Sequence, residues 1–206
     1  MVRSYKSMRE ELNTGDIVLF SGKGGISAGI KWGTLSHWSH VGMILKLPEY
    51  NFITIWESTT LSGTIDLDTK TQMKGVQLVP LSARVNGYDG DIAVRKLSGV
   101  NETDLNIDAL MALRKEVAGR PYEEKELELI KAAYDGPFGR NAEDISSLFC
   151  SELVAEAYQR MGLLTETTAS NNAKPSNEYT PADFSEKKQL SLLYGVLGKE
   201  IYIKDV

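Results

Sequence analysis

The chain has 206 residues, 42% hydrophobic and 25% charged, a balance that suits one globular domain able to bury a core. A net charge of -5 without a basic block excludes binding driven by counterion release from nucleic acid, and excludes an electrostatic anchor on an anionic membrane. A single cysteine excludes an intrachain disulfide, the N-terminus carries no apolar signal core and no apolar run reaches membrane-spanning length, so the expected compartment is the cytoplasm.

In chain order, Thr14-Gly15-Asp16 reads as a turn into a buried strand over residues 17–20. Ser21-Gly22-Lys23-Gly24-Gly25 looks like a phosphate loop, but Lys23 is followed by Gly24 and not by the Ser or Thr a P-loop needs. It reads instead as a turn into a short helix around 27–32. A strand over 41–45 follows, with His40 at its entrance and Gly42 inside it, and a glycine there marks close approach of another group to the backbone. After the turn at Pro48, residues 52–58 are rich in β-branched and aromatic side chains, and strand alternation puts Ile53, Ile55 and Glu57 on one face. Glu57 thus ends an otherwise apolar face, a place that demands a partner for its carboxylate. Antiparallel pairing through the 48–50 turn brings it to the end of the hairpin where His40 stands.

Residues 61–74 are polar and turn-rich. Strands are expected over 76–79 and 92–97, an amphipathic helix over 104–117 carrying Leu105, Leu110, Leu113 and Val117, a charged helix over 123–133 and a loop over 135–144. Phe149, Leu153, Ala157 and Met161 then recur at helical spacing, with Ser146 or Ser147 as N-cap and Gly162 as the stop. That start places Cys150 in the first turn, where unbonded N–H groups and the positive end of the macrodipole favour a thiolate. Residues 165–178 form a polar loop without core-forming capacity. Thr180 and Pro181 restart order, and closing strands are expected over 190–196 and 201–203.

Cys150, His40 and Glu57 supply the residue types of a nucleophile, a base and an orienting carboxylate. His37, three residues before His40, offers no zinc pattern, because metal pairs on a helix prefer spacing four and no second ligand motif accompanies it. His37 therefore reads as a surface residue beside Trp38.

The ordered set Gly15-Asp16-Ile17-Val18-Leu19-Phe20, Ser39-His40-Val41-Gly42, a strand ending in Glu57, Gly119-Arg120-Pro121-Tyr122, Phe149-Cys150-Ser151-Glu152-Leu153-Val154 and Thr180-Pro181-Ala182-Asp183-Phe184 has His before Cys. In that order the chain resembles the circularly permuted NlpC-type papain-like cysteine hydrolases, the YiiX-like group, over residues 12–185 of a single domain spanning 1–206. The resemblance implies an α+β fold, a small antiparallel β-sheet or barrel with the Cys-bearing helix packed on it. It implies a cysteine peptidase or amidase that cleaves an amide or peptide bond, of cell-wall or γ-glutamyl type, through a Cys acyl-enzyme. Cys150 would be the nucleophile, His40 the base and Glu57 the orienter, with Tyr122, Trp38 and Ser151 as contacts of a small peptide or amide substrate. No cofactor and no metal are expected. The alternatives are an acyltransferase or thioesterase of the lecithin:retinol acyltransferase type, and a non-catalytic binding module on the same scaffold.

Overall fold

In the computed structural model, which describes residues 1–22, 37–121, 141–165 and 174–204, the chain builds a sheet whose middle strands are apolar on both faces. The described elements are β1 (Val2–Arg3), α1 (Tyr5–Met8), β2 (Ile17–Gly22), β3 (His40–Leu47), β4 (Phe52–Thr59), β5 (Gly75–Pro80), α2 (Leu81–Gly87), β6 (Gly90–Arg95), β7 (Leu97–Ser98), α3 (Ile107–Val117), α4 (Asn141–Arg160), β8 (Val196–Leu197) and β9 (Ile201–Ile203). The helices expected over 27–32 and 123–133 lie outside the described residues.

Seven strands pair in the order β1-β9-β6-β2-β3-β4-β5, and β7 and β8 make a separate ribbon. Every pair is antiparallel except β1 with β9, which is parallel. The expected barrel is not formed: the architecture is a mixed, mostly antiparallel open sheet with helices packed on it. Closure requires the outermost strands to pair with each other. Among the described residues β1 is two residues long and bonds to β9, while β5 at the other edge meets only the isolated bridge from Gly75 to Pro121.

Alternation along each strand sorts the apolar side chains into two clusters, one per face. Ile17, Leu19, Val41, Met43, Leu45 and Trp56 join the larger cluster, which α4 covers together with Leu163, Leu164, Tyr179, Phe184 and Leu197. Val18, Phe20, Ile44, Ile53, Ile55 and Val79 join the smaller one, covered by Tyr5 and Met8 of α1, Leu12, and Leu81 of α2. Strands buried on both faces read as continuous apolar runs, which is why β2 is Ile-Val-Leu-Phe.

Several boundaries shift by a few residues, and two departures from the sequence expectation are larger. The helix bearing the cysteine begins at Asn141 and not at Ser146 or Ser147, so Cys150 lies midway along it. Gly162, in the left-handed region at φ +81°, ends it, and the N–H groups of Leu163 and Leu164 turn back to the Tyr158 carbonyl. The strand expected over 190–196 shrinks to β8 (Val196–Leu197), and the Leu193 N–H donates instead to the Leu163 carbonyl at 2.8 Å. Arg95, buried in β6, donates to the carbonyls of Phe184, Leu197 and Gly198 at 2.8, 2.7 and 2.7 Å.

The α4 helix is tied to the turn before β2 by one buried contact, the Tyr158 hydroxyl donating to the Gly15 carbonyl. Asp16 completes this corner by accepting the N–H groups of Asn13 and Leu97 at 2.9 and 2.8 Å. Tyr158→Phe leaves the ring packing intact and strips the Gly15 carbonyl of its donor. It is expected to cost about 1–2 kcal/mol in urea unfolding, the usual loss when a buried group is left unpaired. An unchanged urea midpoint would show that the hydroxyl contributes nothing to the docking of α4.

Candidate functional site

His40 opens β3 and is fixed before its side chain begins. It pairs across the sheet with Phe20, the two rings lie 5.4 Å apart, and the Ser39 N–H donates to the Phe20 carbonyl at 2.9 Å. Two residues on, Gly42 makes room for the neighbouring strand. A Cβ there would stand 2.6 Å from Ile55 Cδ1 and 3.2 Å from Glu57 Cβ, so the missing side chain lets β4 bring its carboxylate alongside the imidazole.

Glu57 is fully buried, and both of its oxygens are used. Oε2 lies 2.7 Å from His40 Nε2, and Oε1 accepts from Arg84 Nε at 2.6 Å. Burial by itself would raise the carboxyl pKa. The His40 hydrogen bond and the Arg84 charge outweigh it and hold Glu57 below the usual carboxylate range. His40 likewise suffers burial, which by itself would lower its pKa. The charge and hydrogen bond of Cys150, followed by those of Glu57, reverse that and push the imidazole up to about 10.

The thiol of Cys150 is wholly inaccessible and belongs to the larger cluster. Glu57 shares its strand face with Ile53 and Ile55 of the smaller cluster. His40 is the group that meets both. The chain neighbours Ser58 and Phe149 line a cavity of about 390 Å³, together with Val76, Val117 and Leu153, rimmed by Glu116, Arg120 and Glu156.

The remaining candidates are placed as follows. Trp38 is 2% exposed, and its indole N–H donates to Glu200 at 2.9 Å. The Ser151 hydroxyl is buried and donates to the Tyr179 carbonyl. Tyr122 lies outside the described residues. His37 forms an exposed pair with Asp91 at 3.0 Å and packs edge-on to Trp38. Among the described residues no group of three or more His, Cys, Asp and Glu could hold a metal ion.

Sequence reasoning missed Arg84 and Gln77. Arg84 sits on the buried face of α2, and its Nη2 donates to Gln77 Oε1 at 3.3 Å. The signal available was indirect: a carboxylate at the end of an apolar strand face needs a cation, and Arg84 follows Leu81 by one helical turn.

No family model matches the chain, and no curated protein matches it. Among solved structures it is similar to the metalloprotein yiiX from Escherichia coli O157:H7, DUF1105, at 19% identity and a TM-score of 0.47, with 93% of this chain and 96% of that chain covered. That description is of a metalloprotein and not of a cysteine hydrolase. The expected identity as an NlpC-type papain-like cysteine hydrolase, and with it the peptidase or amidase activity, is corrected on this finding. A likeness this distant carries neither a residue role nor a metal to this chain.

The helix boundary gives a physical reason for the same correction. Cleaving an amide through an acyl-enzyme needs free N–H donors beside the nucleophile to hold the oxyanion. The amide of a residue midway along a helix is already bonded to the carbonyl one turn back, and the macrodipole is felt only within the first turn.

The charge on His40 has a direct signature. Its folded pKa lies above the ordinary value, so its contribution to stability is complete below about pH 6.5 and is lost as pH rises toward 10. The His40 imidazole is expected to keep its proton through neutral pH in an NMR titration, whereas a resonance that titrates at the ordinary position would contradict the paired arrangement.

Proposed function

We propose that Cys150, His40 and Glu57 form a charge-paired thiol centre whose chemistry takes place at Sγ. The observation that supports this reading is the position of the His40 ring, bonded to the Glu57 carboxylate and to the Cys150 thiol at once. A thiol that passes its proton to such an imidazole leaves the sulfur with a free electron pair beside a cation, the arrangement that makes a cysteine a nucleophile. Glu57 holds the ring by its Nε2 and stabilises the imidazolium.

The partner of such a centre is a small electrophile, in keeping with a cavity of about 390 Å³ beside Phe149 and Ser58. Trp38 and Ser151 enter the proposal as framework, since each spends a polar hydrogen inside the fold. None of the described helices is long and apolar enough to cross a membrane. A reducing compartment such as the cytoplasm is proposed on the ground that a lone thiol centre must be kept from oxidation.

Alkylation by iodoacetamide, followed by intact mass against pH, tests the reading. Sγ forms a bond to the reagent's carbon, iodide leaves, and the proton stays on His40. Wild type is expected to react at neutral pH about tenfold or more faster than His40→Ala, the difference between a paired thiolate and a thiol that is only a few per cent ionised. Equal rates across the whole pH range in the two proteins would overturn the proposal.

A further inference from the structure

Gln77 is the register partner of Glu57 across β4 and β5, so the two side chains stand side by side on one sheet face. Its amide orientation is fixed by its surroundings. Nε2 donates to the Leu61 carbonyl at 2.7 Å and also to the Met73 carbonyl, which uses both of its hydrogens and leaves Oε1 turned to Arg84. The guanidinium of Arg84 is planar, so bonds from Nη2 to Gln77 and from Nε to Glu57 fix its plane. That plane in turn fixes the Glu57 carboxylate, whose second oxygen then points at His40.

The charges add a second constraint. Arg84 is 5% exposed, Glu57 and Cys150 are not exposed at all, and the His40 side chain is 14% exposed. With the thiol proton on His40, two positive and two negative groups share this buried space and balance. The cavity beside Arg84 is lined, among the described residues, by Leu61, Thr64, Ile65, Leu67, Gln72 and other uncharged neighbours, so Glu57 is the only charge that the described residues there set against Arg84.

We propose that Arg84 is the positioning residue of the thiol centre: it fixes Glu57 in orientation and charge, and through Gln77 it anchors the centre to the 61–73 segment. The proposal rests on the thiol-centre reading above and extends it to a residue that touches neither the sulfur nor any partner. Removing the guanidinium would leave a carboxylate and a thiolate facing one imidazolium in a space where only the His40 side chain has exposed surface. The sulfur, which can discharge by taking a proton, is the group that yields.

The test is the far-ultraviolet absorbance of the thiolate against pH, taken as the difference from Cys150→Ser, for wild type, Arg84→Met and Arg84→Lys. Thermal unfolding of each is recorded in parallel. Absorbance needs no access of a reagent to the buried sulfur. Arg84→Met is expected to move the thiolate profile upward by about one pH unit or more, a loss of about tenfold in thiolate at a fixed pH on the lower limb. Arg84→Lys, which keeps the charge, is expected to recover most of that shift. A merely structural arginine would lower the unfolding temperature and leave the profile where it was, and that result would overturn the proposal. If Arg84→Met does not fold, Arg84→Gln, neutral and polar, takes its place with the same two outcomes. A wild-type profile identical to that of an ordinary thiol would instead sink the thiol-centre reading itself, which separates the two failures.

Discussion

The structure around the candidate site depends on one buried carboxylate. Glu57 has no exposed surface, and a charge removed from water persists only where its partners replace hydration. Arg84 and His40 divide the two oxygens between them, at 2.6 and 2.7 Å. Neither partner alone would suffice. Without either one, a carboxylate oxygen with no exposed surface would lose its charged partner. Strand β4, helix α2 and the entrance of β3 are thereby held together by electrostatics as well as by packing.

That arrangement crosses the sheet. The carboxylate and the guanidinium sit on the face covered by α1 and α2, while the sulfur belongs to the face covered by α4. An imidazole at a strand end can serve both, because there the backbone no longer separates the two faces. The position of His40 at the first residue of β3 is thus a geometric requirement of the site.

The sheet was largely legible in the sequence because its strands are apolar runs or clean alternations, and the interval from β2 to β6 follows from those patterns. The open edge was not. Whether a sheet closes depends on how its outermost strands meet, and no single strand's pattern records that. The start of α4 was misplaced because Asn141-Ala142-Glu143-Asp144-Ile145-Ser146 offers several residues of capping type in succession, and type alone does not choose among them. The error mattered: it moved Cys150 from a first turn to a helix interior and took the backbone donors with it. At the site, the alternation of Ile53, Ile55 and Glu57 announced a carboxylate in need of a partner. It could not say that Arg84, from a stretch without a motif, would be one of two, since an ion pair across 27 residues leaves no local periodicity.

The sheet order has a consequence for how the chain reaches this form. β9, the last described strand in chain order, lies between β1 and β6, so it is an interior strand that separates β1 from the rest. Until residues 201–203 have left the ribosome, β1 has no neighbour to bond and the outer rim of β6 presents unpaired peptide groups. A nascent chain stalled before that point would carry a nearly complete sheet with an adhesive border. Its exposure ends when residues 201–203 pair, so the docking of β9 is the step that joins β1 to the rest of the sheet.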